Sequence, residues 1–175
     1  NPAKKKEQKI VDLCAGNGAV GLFLTPKSSA QIYEVEIQPR LADMAKRSID
    51  LNGLEERVTV INDDLNNVFD YLAKDSIDTV TCNPPYFAAG PRSPDPRRAE
   101  ARHTGSCTTA DAVDCARRAL RDGGRFVLCQ RPDQLVEVLC ALRAARLEPK
   151  RLAFVRQRTG STPWLFLVEA QKGRK

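Results

Sequence analysis

The chain has 175 residues, of which 42% are hydrophobic and 29% are charged, and its formal net charge is +6. This length suits one domain with a core of its own, so the disulfide-stapled class of mini-proteins is excluded. We find no signal-peptide pattern and no apolar run of membrane-spanning length, which excludes a membrane partner in our interpretation.

Predicted strands and helices alternate along the whole chain. Strands are predicted at residues 9–15, 30–36, 57–62, 77–82, 125–129, 152–155 and 164–168. Helices are predicted from residue 20 and at 39–51, 65–73 and 132–145. A further helix is predicted to begin at Thr108 or Thr109 and to run to Leu120, with Gly123 and Gly124 as its stop.

The order of these elements predicts the fold class. Alternating strands and helices are typical of an α/β domain built on a parallel sheet. Because no helix separates the last two strands, one strand is expected to run antiparallel. We therefore predict a single α/β domain over residues 1–175, with a seven-stranded, mostly parallel sheet, one antiparallel strand and helices on both faces.

A glycine-rich turn follows the first predicted strand. Gly16 and Gly18 lie between that strand and the next helix, as in the opening of a nucleotide-binding βαβ unit. Glycine allows the backbone to approach a ligand because it has no Cβ. Glu36 ends the second strand 20 positions after Gly16, which is the spacing of a carboxylate that accepts hydrogen bonds from ribose hydroxyls.

The sequence Asn83-Pro84-Pro85-Tyr86 follows the fourth predicted strand. Two prolines cannot continue a strand, so the chain leaves the sheet rigidly at Asn83. The Asn83 side chain and the Pro84 carbonyl are acceptors, and Tyr86 offers an aromatic face. These groups suit a planar NH2 group, whose two hydrogens they could accept while the ring stacks.

The second half of the chain is basic. Residues 92–175 contain 18 Lys and Arg, 15 of them Arg, against nine Asp and Glu. Arginine binds phosphate through a planar fork of donors, so this half favours a polyanionic partner. A solvated surface of an arginine-rich protein is the alternative.

The six cysteines include no Cys-x-x-Cys pair, and the chain has one histidine. We therefore expect small buried thiols and no zinc or other metal site. Reduced thiols predict a cytoplasmic protein.

These motifs together resemble those of Rossmann-like, class I S-adenosylmethionine-dependent methyltransferases. The Asn-Pro-Pro-Tyr subgroup methylates adenine N6, guanine N2 or a glutamine amide. Residues 34–38, 51–54, 62–65, 83–87 and 101–103 are further similar to the bacterial tRNA adenine-N6-methyltransferase family. Members of that family usually carry a few dozen residues before the first strand, so the resemblance implies an N-terminally truncated chain.

The resemblance implies S-adenosylmethionine as cofactor, S-adenosylhomocysteine as product and tRNA as partner; we expect a monomer. Gly16 and Gly18 would lie against the methionine portion, and Glu36 would hold the ribose. Asp12 would order the turn or meet the cofactor ammonium through water. Asp64 would accept a hydrogen bond from the adenine amino group of the cofactor, and Asp63 is the neighbouring alternative.

The same resemblance implies the catalytic and substrate-binding residues. Asn83 and Pro84 would accept hydrogen bonds from the target amine, and Tyr86 would stack on its ring. The predicted substrate contacts are Pro85, Phe87, Arg97, Arg98 and Arg102. His103 is either a phosphate contact or an incidental surface residue.

Three functional hypotheses remain open from the sequence. The leading one is adenine-N6 methylation of tRNA, which the basic half and Phe87 favour. The alternatives within enzymes are glutamine N5-methylation of a protein and guanine-N2 methylation of rRNA. The third is a module that binds cofactor or RNA without turnover.

Overall fold

The computed structural model of the protein describes residues 8–84 and 107–173. The strands are β1 (Lys9–Leu13), β2 (Gln31–Val35), β3 (Val58–Ile61), β4 (Ile77–Cys82), β5 (Leu120–Gln130), β6 (Leu147–Val155) and β7 (Leu165–Lys172). The helices are α1 (Ala19–Leu24), α2 (Pro39–Leu51), α3 (Thr109–Ala119) and α4 (Leu135–Ala144), with 3-10 helices at Leu65–Asp70 and Pro132–Gln134.

The strands form one seven-stranded sheet in the order β3-β2-β1-β4-β5-β7-β6. β1 pairs in parallel with β2 and β4, and β7 is antiparallel to both β5 and β6. The predicted sheet, with its one antiparallel strand, is confirmed. Since β1 to β4 are parallel, the residues after their carboxyl ends meet at one edge of the sheet, which we call the carboxyl edge.

Helices cover both faces, as alternate side chains of β1 show. Ile10 belongs to an apolar cluster that also contains Ile32 and Ile49, on the face covered by α1 and α2. Val11 and Leu13 belong to a larger cluster on the opposite face, which is covered by the 3-10 helix at Leu65–Asp70 and by α3 and α4. The sheet is therefore buried between two layers, as continuous parallel sheets require.

Local sequence signals set the helix boundaries. Pro39 occupies the start of α2, where its missing N–H costs nothing. Thr108 caps α3: its hydroxyl accepts from Asp111 N, and the Asp111 carboxylate accepts from Thr108 N. This reciprocal arrangement satisfies two helix-end donors.

Several predicted boundaries were wrong: β5 begins at Leu120 and not at residue 125, β6 begins at Leu147 and not at 152, and β7 continues to Lys172 beyond 168. α3 ends at Ala119, and Gly123 and Gly124 lie inside β5, which begins at Leu120. A Cβ at Gly124 would lie 2.8 Å from the Arg121 carbonyl oxygen, and the β4–β5 register shifts between Ile77 and Thr79. The two glycines therefore allow an irregularity in β5 and do not end α3.

The helix predicted at 65–73 is the shorter 3-10 helix at Leu65–Asp70. Among the helices in the described stretches, none combines the length and apolar character that a bilayer crossing requires.

Candidate active site

The turn after β1 has an unusual backbone. Cys14, Gly16 and Gly18 have φ angles of 59°, 60° and 80°. Glycine adopts this left-handed region without strain, which is why the turn needs it. A Cβ at Gly16 would meet no atom of the described residues within 4 Å, so this part of the chain leaves the space beside Gly16 open. The sequence prediction of a backbone that a ligand can approach fits this geometry.

Glu36 connects the end of β2 to that turn. Its carboxylate accepts from Gly16 N through Oε2 and from Gln38 N through Oε1, both at 2.8 Å. The residue is 5% exposed. Each oxygen keeps a further lone pair for a hydroxyl donor. The structure thus gives Glu36 a role in ordering the turn, and the ribose contact stays a prediction.

Asp12 and Glu34 are two more buried carboxyl groups, opposite each other on β1 and β2. Burial raises the pKa of Asp12 to about 7, although the hydrogen bond from Thr81 Oγ1, at 2.6 Å, opposes the shift. Burial and then the proximity of Asp12 raise the pKa of Glu34 to about 7. Glu34 was not among the predicted site residues.

The Glu34 carboxyl group packs directly beneath the glycine turn and α1. Both of its oxygens lack a hydrogen-bond partner in the described part of the chain. A Cβ at Gly18 would lie 2.6 Å from Oε2, and a Cβ at Gly21 would lie 2.0 Å from Oε1. The two glycines therefore make the space that this side chain fills.

The two neighbouring acids after β3 have different surroundings. Asp63 accepts hydrogen bonds from Asp64 N, Asn67 Nδ2 and the Tyr71 hydroxyl, so both its oxygens are used. Those bonds lower the pKa of Asp63. Asp64 caps the 3-10 helix through Oδ1 alone. Its Oδ2 accepts nothing from the described residues, which favours Asp64 over Asp63 as a ligand acceptor.

Asn83 lies immediately beyond β4 on the same edge. Leu13 is opposite Cys82 in the β1–β4 register, so Asn83 is beside the start of the glycine turn. Asn83 is exposed and Pro84 is buried. The structure therefore brings Asn83 together with the predicted cofactor residues. The other predicted substrate residues lie outside the described stretches: Pro85, Tyr86, Phe87, Arg97, Arg98, Arg102 and His103.

Three cysteines meet at this edge. The Sγ atoms of Cys14, Cys82 and Cys107 all lie within 4.8 Å of one another. Hydrogen bonds with the thiols of Cys14 and Cys82 lower the pKa of Cys107. Sequence reasoning missed this cluster, because the three residues are far apart in the chain and no local spacing connects them.

Three exposed arginines that the sequence analysis did not select follow other strands that end at the carboxyl edge. β7 is antiparallel to both β5 and β6, so β6 runs parallel to β5. Because β5 is parallel to β4, β6 is also parallel to β4. Arg131 follows β5, and Arg156 and Arg158 follow β6. With strands about 4.8 Å apart, β6 lies roughly 14 Å from β4 across the sheet.

A family model described as "methyltransferase small domain" matches residues 2–144 of the chain. Among curated proteins, a tRNA1(Val) (adenine(37)-N6)-methyltransferase of Shewanella loihica is 34% identical over 122 residues, which are 68% of this chain and 50% of the relative. The protein of the same name from Aeromonas hydrophila is 33% identical over 76% of this chain and 56% of its own length. The chain thus spans about half the length of these relatives.

Solved structures show the same fold. A predicted O-methyltransferase of Agrobacterium tumefaciens superposes with a TM-score of 0.77 at 23% identity, over 99% of this chain and 78% of that one. A geranyl diphosphate C-methyltransferase of Streptomyces coelicolor, in complex with S-adenosyl-L-homocysteine, gives 0.71 at 14% identity, over 95% and 74%.

Proposed function

Because the chain belongs to the methyltransferase small domain family, we propose that it carries the cofactor site and target-amine site of an S-adenosylmethionine-dependent methyltransferase. We propose adenine N6 of tRNA as the acceptor. The observation that carries this proposal is the convergence of the glycine turn, Glu36, Asp64 and Asn83 at one sheet edge. In open α/β sheets, ligands bind beyond the carboxyl ends of the strands.

The described residues fit the proposed cofactor. The space beside Gly16 would hold the methionine portion against the backbone. The remaining lone pairs of the Glu36 carboxylate would accept from the ribose hydroxyls, and Asp64 Oδ2 would accept from the adenine amino group. S-adenosylmethionine, when bound, supplies an electrophilic methyl group on a sulfonium. Asp12 accepts a hydrogen bond from Thr81 Oγ1, which joins β1 to β4. It would help order the turn or meet the cofactor ammonium through water.

Asn83 and Pro84 act on the acceptor nitrogen. An exocyclic amine shares its lone pair with the ring and is a poor nucleophile. Hydrogen bonds to Asn83 Oδ1 and the Pro84 carbonyl favour a tetrahedral nitrogen with an available lone pair. Positive charge develops on that nitrogen during transfer, so fixed acceptors stabilise the transition state more than the ground state. The proton leaves after transfer, and no general base is needed beforehand.

RNA is the acceptor that the charge distribution supports. The half of the chain after residue 92 is basic, and Arg131, Arg156 and Arg158 follow strands that end at the same edge as Asn83. Phosphates that flank an extruded base would meet these guanidinium groups. Arg97, Arg98 and Arg102, outside the described residues, are the further predicted contacts. For a tRNA-modifying protein we expect a cytoplasmic location.

The test is methyl transfer from tritiated S-adenosylmethionine to total tRNA and, separately, to total protein, followed by nucleoside analysis. We expect N6-methyladenosine in tRNA. Asn83→Ala should lower the single-turnover rate about a hundredfold or more with little change in cofactor affinity. The matched control is Asn52→Ala at the end of α2, toward the opposite edge of the sheet, which should leave the rate unchanged.

The other products decide between the alternatives. Label on glutamine in protein, or on guanine in rRNA, would reassign the acceptor but keep the role of Asn83. A normal single-turnover rate in Asn83→Ala would overturn that role. Cofactor binding with no label in any acceptor would favour the hypothesis of a module that binds cofactor without turnover.

A further inference from the structure

Three thiols converge at the carboxyl edge from three separate parts of the chain. Cys14 opens the glycine turn after β1, Cys82 ends β4 next to Asn83, and Cys107 precedes the cap of α3. Their Sγ atoms lie within 4.8 Å of one another. All three are free cysteines, with Cys82 buried and the other two half-buried.

This spacing is close to that of metal-bound thiolates. With metal–sulfur bonds of about 2.3 Å, a tetrahedral zinc site has sulfur atoms about 3.8 Å apart. Three sulfurs at the 4.8 Å limit need to move inward by only about 0.6 Å each to reach that geometry. Such a shift is within what side-chain rotation supplies without moving the strands.

We propose that Cys14, Cys82 and Cys107 form a binding site for a thiophilic metal ion, with Zn²⁺ as the ion that the ligand set fits. Soft thiolate ligands select Zn²⁺ over hard cations such as Mg²⁺. Binding replaces three S–H bonds with three metal–sulfur bonds and releases three protons to the solvent. A water molecule fills the fourth position.

A metal rather than a disulfide accounts for the whole cluster. A disulfide uses two sulfurs and leaves the third without a function, whereas a metal uses all three. The ion would join the turn that holds the proposed cofactor to the strand end that carries Asn83. It would also fix the start of α3, so it would clamp three separate elements of the same edge.

The test uses Cd²⁺ as a spectroscopic probe on the whole chain, reduced and treated with a chelator. Thiolate-to-cadmium charge transfer gives an ultraviolet absorption that serine cannot produce. We expect wild-type protein to bind one equivalent, with displacement by Zn²⁺ and none by Mg²⁺. Cys14→Ser, Cys82→Ser and Cys107→Ser should each weaken binding at least about tenfold, because each removes one ligand. This readout is independent of methyl transfer.

The matched control is the double variant Cys129→Ser/Cys140→Ser, whose cysteines lie on β5 and α4 outside the cluster. It should bind Cd²⁺ like wild type. Because Cys82 is buried and its serine variant could misfold, the half-buried Cys14 and Cys107 variants decide the result, with circular dichroism as the check of folding. Unchanged cadmium absorption in either variant would overturn the proposal. So would reduced wild type that binds no Cd²⁺, including a protein whose unreduced form contains a disulfide between two of these residues.

Discussion

At the scale of single residues, the buried carboxyl groups beside the glycine turn show which features of the site a sequence predicts and which it does not. Glu36 was predicted because its distance from Gly16 is a local pattern. Its bonds to two backbone amides and the burial of Glu34 were not predicted, since both depend on how β2 packs under the turn. The availability of Asp64 Oδ2 likewise depends on how Asp63 is used by its neighbours.

The raised pKa values of Asp12 and Glu34 predict a pH-dependent stability. In the unfolded chain these groups titrate near 4, and in the folded protein near 7. The folded state therefore binds more protons between about pH 4 and 7, so the free energy of unfolding falls as pH rises through this range and levels off above it. Each group contributes on the order of 3–4 kcal/mol to that fall, at about 1.4 kcal/mol for each unit by which its pKa is raised.

Glu34→Gln keeps the shape of the side chain and removes its ionisation. Urea unfolding between about pH 4 and 8 should show roughly half the wild-type loss of stability. Glu55→Gln, at an exposed position, is the control and should follow the wild-type profile. A Glu34→Gln profile that coincides with wild type would show that Glu34 is not a source of the pH dependence.

At the scale of elements, sequence signals predicted the ends of some elements but placed the start of β6 at residue 152, where it is Leu147. α2 and β4 have the predicted bounds, and Thr108 caps α3 as expected. The start of β5 was predicted too late because Gly123 and Gly124 resemble a helix stop, whereas they lie in β5 at an irregular pairing with β4. Such a pairing depends on both strands, so it cannot be recognised from the sequence of either strand alone.

The contact between α1 and β2 predicts a strong coupling between Gly21 and Glu34. Alanine is a better helix former than glycine by about 1 kcal/mol, but a Cβ at Gly21 would overlap Glu34 Oε1. We expect Gly21→Ala to destabilise wild type by about 1–2 kcal/mol and to stabilise Glu34→Ala by up to about 1 kcal/mol.

A double-mutant cycle of unfolding free energies at one pH measures this coupling. Gly160→Ala serves as the control, because a Cβ there meets no atom within 4 Å in residues 8–84 and 107–173, and its effect should be the same in both backgrounds. Additive effects of Gly21→Ala and Glu34→Ala would contradict the close packing of the two residues.

The loop between β6 and β7 predicts a salt-dependent contribution to RNA binding. Arg156 and Arg158 are exposed, and Arg156 donates to the Ser161 carbonyl oxygen within the same loop. The double alanine variant should lower tRNA affinity and reduce the slope of log affinity against log salt by about 1–2 units. Filter binding across a salt series gives both quantities.

Two exposed arginines toward the opposite edge provide the control. Arg47 lies in the last turns of α2 and Arg143 near the end of α4. Their double alanine variant changes the net charge equally and should alter the slope far less. Equal slopes for the two double variants would mean that net charge alone, and no gripping surface at the carboxyl edge, attracts the RNA.

At the scale of the whole molecule, the alternation of strands and helices was enough to predict the seven-stranded sheet and its antiparallel strand. The family resemblance is confirmed by the matching family model. The cysteine cluster could not be predicted, since Cys14 and Cys82 are 68 positions apart and only the central place of β1 beside β4 brings them together. Contacts of this kind follow from strand order, which no local pattern specifies.

The insertion of β7 between β5 and β6 has a consequence for how the domain forms on the ribosome. In the described part of the chain, β6 hydrogen-bonds to β7 and to no other strand. Because β6 precedes β7 in the chain, it is complete before its partner exists, and synthesis at about 5–20 residues per second sets the delay between them. Until Leu165–Lys172 emerges, both β5 and β6 present unpaired edges, and β6 carries the exposed Leu152 and Phe154. The nascent domain is therefore most open to misassociation just before β7 is made, and β7 then pairs with the free edge of β5 and with one edge of β6.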